Sequence, residues 1–267
     1  MTGGPETYQS QHSEPESESA SLRAVVVIPA RYDSTRLPGK VLLSETGKFL
    51  IEHVYEQALK ARLPQEVIIA TDDNQVLAAA NSFGARAVLT RPEHRTGTER
   101  VAEAAVGLDA EVIVNLQGDE PLIAPDVIDT VVEALALDPA AQVATAAFRF
   151  TDPEKAADPN LVKVVTNDSG NALYFSRSPV PYYRDEDVER IYFGHLGIYA
   201  YRKKFLEKLV RMDQGKLEMA EKLEQLRVLE SGHGIKVILT DYSSTGIDTQ
   251  EDYDRFVKEW KKRAHQE

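Results

Sequence analysis

Arg31, Arg36 and Lys40 put three cations on one short stretch, RYDSTRLPGK, beside the hydroxyls of Ser34 and Thr35 and a Pro38-Gly39 turn. Such a loop suits a polyphosphate. It follows Val25 to Ile28, an unalternated run of β-branched residues that reads as a strand buried on both faces. Pro29 has no N–H for a ladder and is expected to end that strand's pairing. Open α/β sheets hold ligands beyond the carboxyl ends of their strands, where this loop lies. It is not a Walker A loop, because the Gly required six residues before the Lys is replaced by Ser34. The other reading is a solvated basic loop after an edge strand. The continuous apolar run favours a central strand instead.

A second candidate is Asp119 in LQGDEP, directly after the apolar run Val112 to Leu116. Gly118 is read as leaving room for a ligand near the backbone, and Pro121 as stopping the strand. A carboxylate there faces the same crevice as the basic loop. Beside a triphosphate it needs a counter-cation, and Mg2+ on one or two carboxylates is the usual arrangement. The competing reading is an Asx-turn that closes the strand; Glu120 is a weaker candidate. A third stretch, His94 to Arg100 (HRTGTER), precedes a helix, with Thr96 and Glu99 at capping-box spacing. A capped helix start with arginines nearby also suits an anion. The two readings do not compete.

The elements that must position these residues alternate. Phe49 to Arg62 carries apolar residues near helical spacing. Val67 to Ala70 is a strand, then a helix runs from about Gln75 to Phe83, with Thr71 or Asp72 as its N-cap. Ala85 to Leu89 is a strand, Val101 to Leu108 a helix and Val112 to Leu116 a strand. This is the pattern of βαβ units on a parallel sheet. After about residue 140 it changes. Val143 to Phe148, Val162 to Thr166 and Ala172 to Phe175 read as strands with little helix between them. Residues 178–190 form a Pro- and Tyr-rich excursion. Helices follow from about Lys203 and from Leu217 to Glu230, then a strand over Ile235 to Thr240 and a helix from Gln250 to about Lys262.

The chain has 267 residues, 42% hydrophobic and 28% charged, enough for one large α/β domain. A net charge of −12 argues against nucleic acid or an anionic membrane as the main partner. With no cysteine there is no disulfide, thiolate metal site or cysteine nucleophile, which fits a reducing cytoplasm. No apolar run reaches the ~20 residues of a membrane span. Residues 1–22 are rich in Ser, Glu, Gly and Pro and poor in apolar side chains. They read as a disordered acidic tail without the marks of a signal peptide. Residues 23–262 remain as a single domain, with a nucleotide-binding half over 23–140 and a mixed half over 141–262.

The form IPARYDSTRLPGK resembles the nucleotidyltransferases that make activated sugars, most of all the 3-deoxy-manno-octulosonate (Kdo) cytidylyltransferases, or CMP-Kdo synthetases. QGDEP, HLGIY, LEQLR and GIDT follow in the order of that family, and the likeness covers residue 23 to about 258. It implies a Rossmann-like nucleotidyltransferase fold, with a mostly parallel central sheet and a mixed α+β part for sugar binding and dimerisation. It further implies transfer of CMP from CTP to the anomeric hydroxyl of Kdo, with pyrophosphate released and Mg2+ as cofactor. The residues alone reach Mg2+-dependent transfer from a nucleoside triphosphate; cytosine and Kdo come from the resemblance.

By the same resemblance, nucleotide contacts fall on Pro29, Ala30, Arg31, Ser34 and Lys40, then on Thr96, Gly97, Arg100 and Gln117. The family usually has Ser where this chain has Thr96. Arg31, Lys40, Asp119 and Asp248 are the implied catalytic residues, and Asp119 with Asp248 of GIDT the implied metal carboxylates. Asp248 could otherwise cap the last helix, and neither Asp has a cationic neighbour in sequence. The sugar carboxylate is assigned to Arg177, and its remaining groups to Gln117, His195, Tyr199, Glu224 and Gln225. Taken singly, Arg177 could pair with a surface carboxylate, His195 could be a satisfied core residue, and Glu224 could lie on a solvated helix face. Activation of another acidic sugar such as sialic acid, or a nucleotide-sugar-binding glycosyltransferase domain, are the alternatives. Homodimerisation is expected through the excursion near Val180 to Tyr192, since Tyr is enriched at interfaces.

Overall fold

A computed structural model describes residues 22–264, apart from Ser34, Thr35, Glu186, Ser244 and Thr245. The first strand sets the architecture. In β1 (Ala24–Ala30) every residue is buried. Val26 and Ile28 enter one hydrophobic cluster and Val25 and Val27 the other. A strand covered on both faces needs apolar side chains at odd and even positions alike, and this explains the missing alternation.

Helix α1 (Leu50–Ala58) follows, then β2 (Pro64–Thr71), α2 (Asn74–Ser82), β3 (Ala87–Leu89), α3 (Gly97–Ala104), β4 (Val112–Asn115) and α4 (Pro125–Leu137). The second part holds β5 (Val143–Phe150), α5 (Pro153–Ala157), β6 (Lys163–Thr166), β7 (Ala172–Ser176) and β8 (Tyr192–Arg202). It ends with α6 (Lys203–Leu209), α7 (Lys216–Glu221), α8 (Gln225–Glu230), β9 (Ile235–Thr240) and α9 (Gln250–Ala264).

Among the described residues nine strands form one sheet, in the order β3-β2-β1-β4-β8-β5-β9, with β6 and β7 attached beside β8. The pairs β1–β2, β1–β4, β2–β3 and β5–β9 are parallel, whereas β8 runs antiparallel to both β4 and β5. A strand from late in the chain thus sits in the middle of the sheet. Helices α1, α2 and α4 cover one face, through residues such as Ile51, Val76 and Val131. Helices α3, α6 and α8 cover the other, through Val101, Phe205 and Leu226. The last helix packs elsewhere. Tyr253, Phe256 and Val257 of α9 join Leu37 and Leu50 in a third cluster, which brings the chain just before α9 against the first loop.

Several sequence expectations need correction. Pro29 does not end β1; the strand continues opposite Ala70 and Thr71. Val27 O accepts from Leu116 N, so residues 27 and 29 both turn their polar groups toward β4. The β4 pairing stops at Val27–Asn115, so the N–H that proline lacks costs no ladder bond. The N-cap of α2 is Asp73, which accepts from Gln75 N and Val76 N, and not Thr71 or Asp72. The expected helix from Leu217 to Glu230 is two short ones, broken at Lys222 with φ 55°. The 13-residue α4, with Pro125 in its first turn, and the 11-residue β8 were not recognised in the sequence. Leu22, assigned to the tail, packs against the core. The tail's remaining residues lie outside the described ones.

Candidate active site

Lys40 lies in a short 3-10 turn after the first loop, reached through Gly39 at φ 66°. Its ammonium donates to Asp119 Oδ2 at 2.6 Å, Asp248 Oδ1 at 3.1 Å and Ile247 O at 3.0 Å. Arg36 reaches Asp248 Oδ2 at 2.9 Å. Burial works to lower the Lys40 pKa, but Asp119 first and Asp248 second raise it above the ordinary lysine value. Segments 79 and 208 residues away in sequence therefore meet on one ammonium. Neither carboxylate has a cationic neighbour in adjacent sequence, and the first loop supplies both of them with one in the fold.

Local structure leaves both carboxylates available for this. The Asp119 carboxylate turns to Lys40 and not into an Asx-turn, while its carbonyl accepts from Ile247 N at 2.9 Å. Before α9, Thr249 is the cap. Its Oγ1 accepts from Asp252 N at 3.2 Å, and Asp252 Oδ2 accepts from Thr249 N at 3.0 Å. Asp248 is thus released from capping. The loop carrying it comes so close that a Cβ on Gly246 would lie 3.3 Å from Glu120 Oε1 and 3.5 Å from Asp119 Oδ1. Gly118 has a packing task beside the expected one. It lines the cleft beside Lys40, and a Cβ there would lie 3.0 Å from Pro29 O and 3.2 Å from Ile51 Cδ1, so glycine also lets β1 and α1 pack.

A cleft of about 380 Å³ is lined by Pro29, Arg31, Arg36, Lys40, Gly97, Gln117, Asp119 and Asp248, among others. Arg31 donates through Nη2 to His94 O at 2.8 Å, and desolvation and then Arg100 lower its pKa. Thr96 caps α3 by accepting from Glu99 N, which leaves Gly97 at the cleft wall. Gln117 Nε2 donates to Asn115 Oδ1 at 3.2 Å. Ala30 ends β1 as a buried residue. Ser34 lies outside the described residues. Arg100 does not reach the cleft. It is 0% exposed, and Nη2 donates to Asp72 at 2.6 Å while Nη1 bonds Thr90, so it braces β2 and β3 beneath the site.

A second cleft of about 550 Å³ shares Arg36, Asp119 and Asp248 with the first. His195, Lys155, Asn160, Gly197 and Arg255 are among its other lining residues. The Thr145 hydroxyl donates to Ile198 O at 2.6 Å, so at 3.0 Å it accepts from His195 Nε2. Nδ1 is then an acceptor. Burial lowers the His195 pKa to about 3, so the ring is neutral and serves as a hydrogen-bonding group. Tyr199 packs on His195 and Tyr201, and burial followed by Glu224 raises its phenol pKa.

Glu224 is at the leading edge of α8, not inside a helix, and Thr98 of α3 donates to it. Burial raises its carboxyl pKa despite that bond. Gln225 is buried beside it. Arg177 is held by backbone acceptors, with Nε donating to Glu221 O and Nη1 to Pro159 O, each at 2.8 Å. It is not among the residues lining the second cleft, although Asn160 and Leu161 next to Pro159 are. Sequence reasoning placed Arg36 in the cationic loop without assigning it a contact, and left Lys155 and Arg255 out of the site.

Two hard oxygen donors meeting at the triphosphate-sized cleft fit Mg2+, which takes one or two carboxylates together with phosphate oxygens and water. Among the described residues no group of three or more His, Cys, Asp or Glu could hold a metal alone. The remaining ligands would come from outside the protein.

Comparison with known proteins agrees with this geometry. Residues 25–238 match the Cytidylyltransferase family. The 3-deoxy-manno-octulosonate cytidylyltransferase of Solibacter usitatus is 49% identical over 88% of this chain and 93% of its own length. That of Geotalea daltonii is 47% identical over 91% of this chain and 100% of its own. The solved structure of CMP:2-keto-3-deoxy-manno-octonic acid synthetase complexed with CTP superposes with a TM-score of 0.87 at 42% identity, covering 90% of this chain and 99% of that one. A more distant structure, 4-diphosphocytidyl-2C-methyl-D-erythritol synthase from Anaerococcus prevotii, has a TM-score of 0.60 at 15% identity over 91% and 97% of the two chains; it shares the fold. With two clefts meeting at Asp119 and Asp248 and with relatives of this similarity, the chain belongs to the 3-deoxy-manno-octulosonate cytidylyltransferase family.

Proposed function

We propose that this chain transfers CMP from CTP to the anomeric hydroxyl of Kdo, releasing pyrophosphate and activating Kdo for lipopolysaccharide synthesis. The observation that carries the reading is the meeting of Lys40, Asp119 and Asp248 where a cleft holding Arg31, Arg36 and Lys40 joins a second cleft lined by His195. A nucleotide in the first cleft and a sugar in the second would present their reacting atoms at that junction. The sugar oxygen attacks the α-phosphorus, the bond to the β-phosphate oxygen breaks, and its electron pair leaves with pyrophosphate. The hydroxyl proton goes to solvent.

Arg31 and Lys40 neutralise the triphosphate and the departing pyrophosphate, so this part of catalysis is positioning plus electrostatic stabilisation. Asp119 and Asp248 would hold Mg2+, which supplies Lewis-acid polarisation of the phosphate and acidifies the attacking hydroxyl. In the resting site Lys40 and Arg36 already balance these two carboxylates. A bound triphosphate would compete with the two carboxylates for the Lys40 ammonium, leaving Asp119 and Asp248 as the residues to hold the cation. His195 would accept from a sugar hydroxyl through Nδ1. Gln117, Tyr199, Glu224 and Gln225 are proposed as further substrate contacts, Gln117 from the wall of the first cleft and the other three from positions that line neither cleft. Arg177 does not line the second cleft, so its guanidinium would have to move to meet the sugar carboxylate.

The working unit in this proposal is a homodimer. Support comes from Tyr182, 87% exposed, and half-exposed Val188 in the 178–190 excursion. Among the described residues no helix is long and apolar enough to cross a membrane, and a cytoplasmic reaction suits the cysteine-free chain. Pyrophosphate release tests the activity: it should need CTP and Kdo together and be small with sialic acid. Equal turnover of the two sugars would refute the sugar assignment. A monomeric mass at micromolar concentration would refute the dimer.

A further inference from the structure

Arg31 leaves the end of β1 and enters the cleft, yet what fixes its guanidinium comes from another part of the chain. Nη2 donates to His94 O at 2.8 Å. A guanidinium has five N–H donors in a planar fork, so one bond to a carbonyl sets its direction and leaves donors for an anion. Arg31 needs such a tether, because desolvation and the nearby Arg100 both disfavour its charge. Without one, rotation into solvent is the favourable escape.

The carbonyl that holds Arg31 lies in the segment between β3 and α3, which has no ladder of its own. Two carboxylates one helical turn apart on α3 hold that segment in place. Glu103 Oε2 accepts from Arg91 N at 3.2 Å and Arg91 Nε at 3.4 Å, and is bonded to His94 Nε2. Glu99 Oε2 accepts from Arg95 N at 2.7 Å and lies 3.9 Å from His94 Nδ1. The His94 side chain is largely buried in this cradle. Burial would raise the Glu103 pKa, but the bonds from His94 and then Arg91 hold it below the usual carboxylate range. The same residue thus presents its ring to Glu103 and its carbonyl to Arg31. Neither His94 nor Glu103 is among the residues lining the first cleft.

We propose that the Glu103–His94 pair is a positioning device for Arg31, aiming its guanidinium at the triphosphate of the incoming nucleotide. This rests on the reading of Arg31 as a triphosphate contact. The pair touches no reacting atom and acts through a carbonyl, so its loss appears as misplacement of a charge that must be accurately set.

A double-mutant cycle on kcat/KM for CTP, with melting temperatures recorded in parallel, tests the proposal. Glu103→Ala should lower kcat/KM for CTP by about 10-fold or more and leave KM for Kdo unchanged. Glu103→Gln keeps an acceptor and should recover part of the loss. In an Arg31→Ala background, Glu103→Ala should add less than about 2-fold, because residues acting through one contact do not multiply. His94→Ala keeps the carbonyl but unties it from Glu103, and it replaces Glu103→Ala if that variant does not fold. Multiplying losses in the double variant, or an unchanged kcat/KM for CTP in folded Glu103→Ala and His94→Ala, would overturn the pairing. An unchanged kcat/KM in Arg31→Ala alone would instead overturn the triphosphate role on which the pairing depends.

Discussion

Replacing Lys40 with Met tests the electrostatics of the site most directly, because methionine keeps much of the stem and removes only the ammonium. In the intact protein that ammonium is 2.6 Å from Asp119 and 3.1 Å from Asp248, with its side chain 13% exposed. At an effective dielectric of about 20, the attraction at the shorter distance is roughly 6 kcal/mol. Desolvation of both partners offsets much of this. The cleft is also open to solvent, so the net loss should be about 2 kcal/mol, between the values for exposed and buried pairs.

Asp248 retains Arg36 in the variant, while Asp119 loses the one cation described at its oxygens. The vacated position is then a divalent-cation site without a resident competitor. Thermal melts without nucleotide, with and without millimolar MgCl2, read this out. Wild type should gain little, since its two carboxylates are already balanced by Lys40 and Arg36. The variant should gain about 2.7 kcal/mol once Mg2+ exceeds its Kd ~100-fold, a rise of roughly 5 °C or more for a chain of this size. Its turnover should fall steeply despite the tighter metal. If Mg2+ stabilises wild type as much as Lys40→Met, the ammonium does not compete for the site and the argument fails.

Asp119→Asn and Asp248→Asn should each leave the protein folded and lower turnover by about 10²-fold or more. Asp119→Asn should also lower the melting temperature much as Lys40→Met does, because it breaks the same ion pair. The double variant should lose little beyond either, as measured by kcat, and multiplying effects would mean separate roles. His53 is buried against Phe256 and Trp260, and burial lowers its pKa to about 4. A depressed histidine pKa means that the unfolded chain takes up the proton first. Stability is therefore full above about pH 6.5 and falls by up to about 3 kcal/mol as pH drops toward 4. Urea unfolding across that window should show a smaller pH slope for His53→Gln than for wild type, and equal slopes would refute the assignment. Gly118→Ala should cost about 1–3 kcal/mol, read as a lower melting temperature, because the added carbon meets Pro29 O at 3.0 Å. A wild-type melting temperature would show that β1 can give way there.

Much was legible in the sequence because it is local. The unalternated run Val25 to Ile28 announced a strand buried on both faces. The cations of the first loop and the position of Asp119 after an apolar strand pointed to the cleft in which they meet. These inferences need only periodicity and the rule that ligands gather at strand ends. The five-motif resemblance then named the chemistry, which no periodicity could. Helix α4 and strand β8 escaped for opposite reasons. The α4 residues follow LQGDEP and begin without a side-chain cap, with Pro125 as a local sign of a helix start. The β8 residues, YFGHLGIYAYR, alternate buried with half-buried positions, but glycines and a histidine break the apolar signature of a central strand.

Tertiary structure alone decided which charges meet. Nothing near Asp119 or Asp248 in sequence supplies a cation, yet docking of α9 through Tyr253 and Phe256 onto Leu37 and Leu50 carries Asp248 to Lys40 and Arg36. It also withdrew Arg100 into a buried pair with Asp72 and turned Arg177 onto backbone carbonyls, although both looked like ligand contacts by residue type. A sequence states which side chains can carry charge or donate a hydrogen bond. Which of them keep that capacity for a ligand depends on the partners that packing brings within about 3 Å, because a charge or donor already satisfied inside the fold is no longer offered to the cleft.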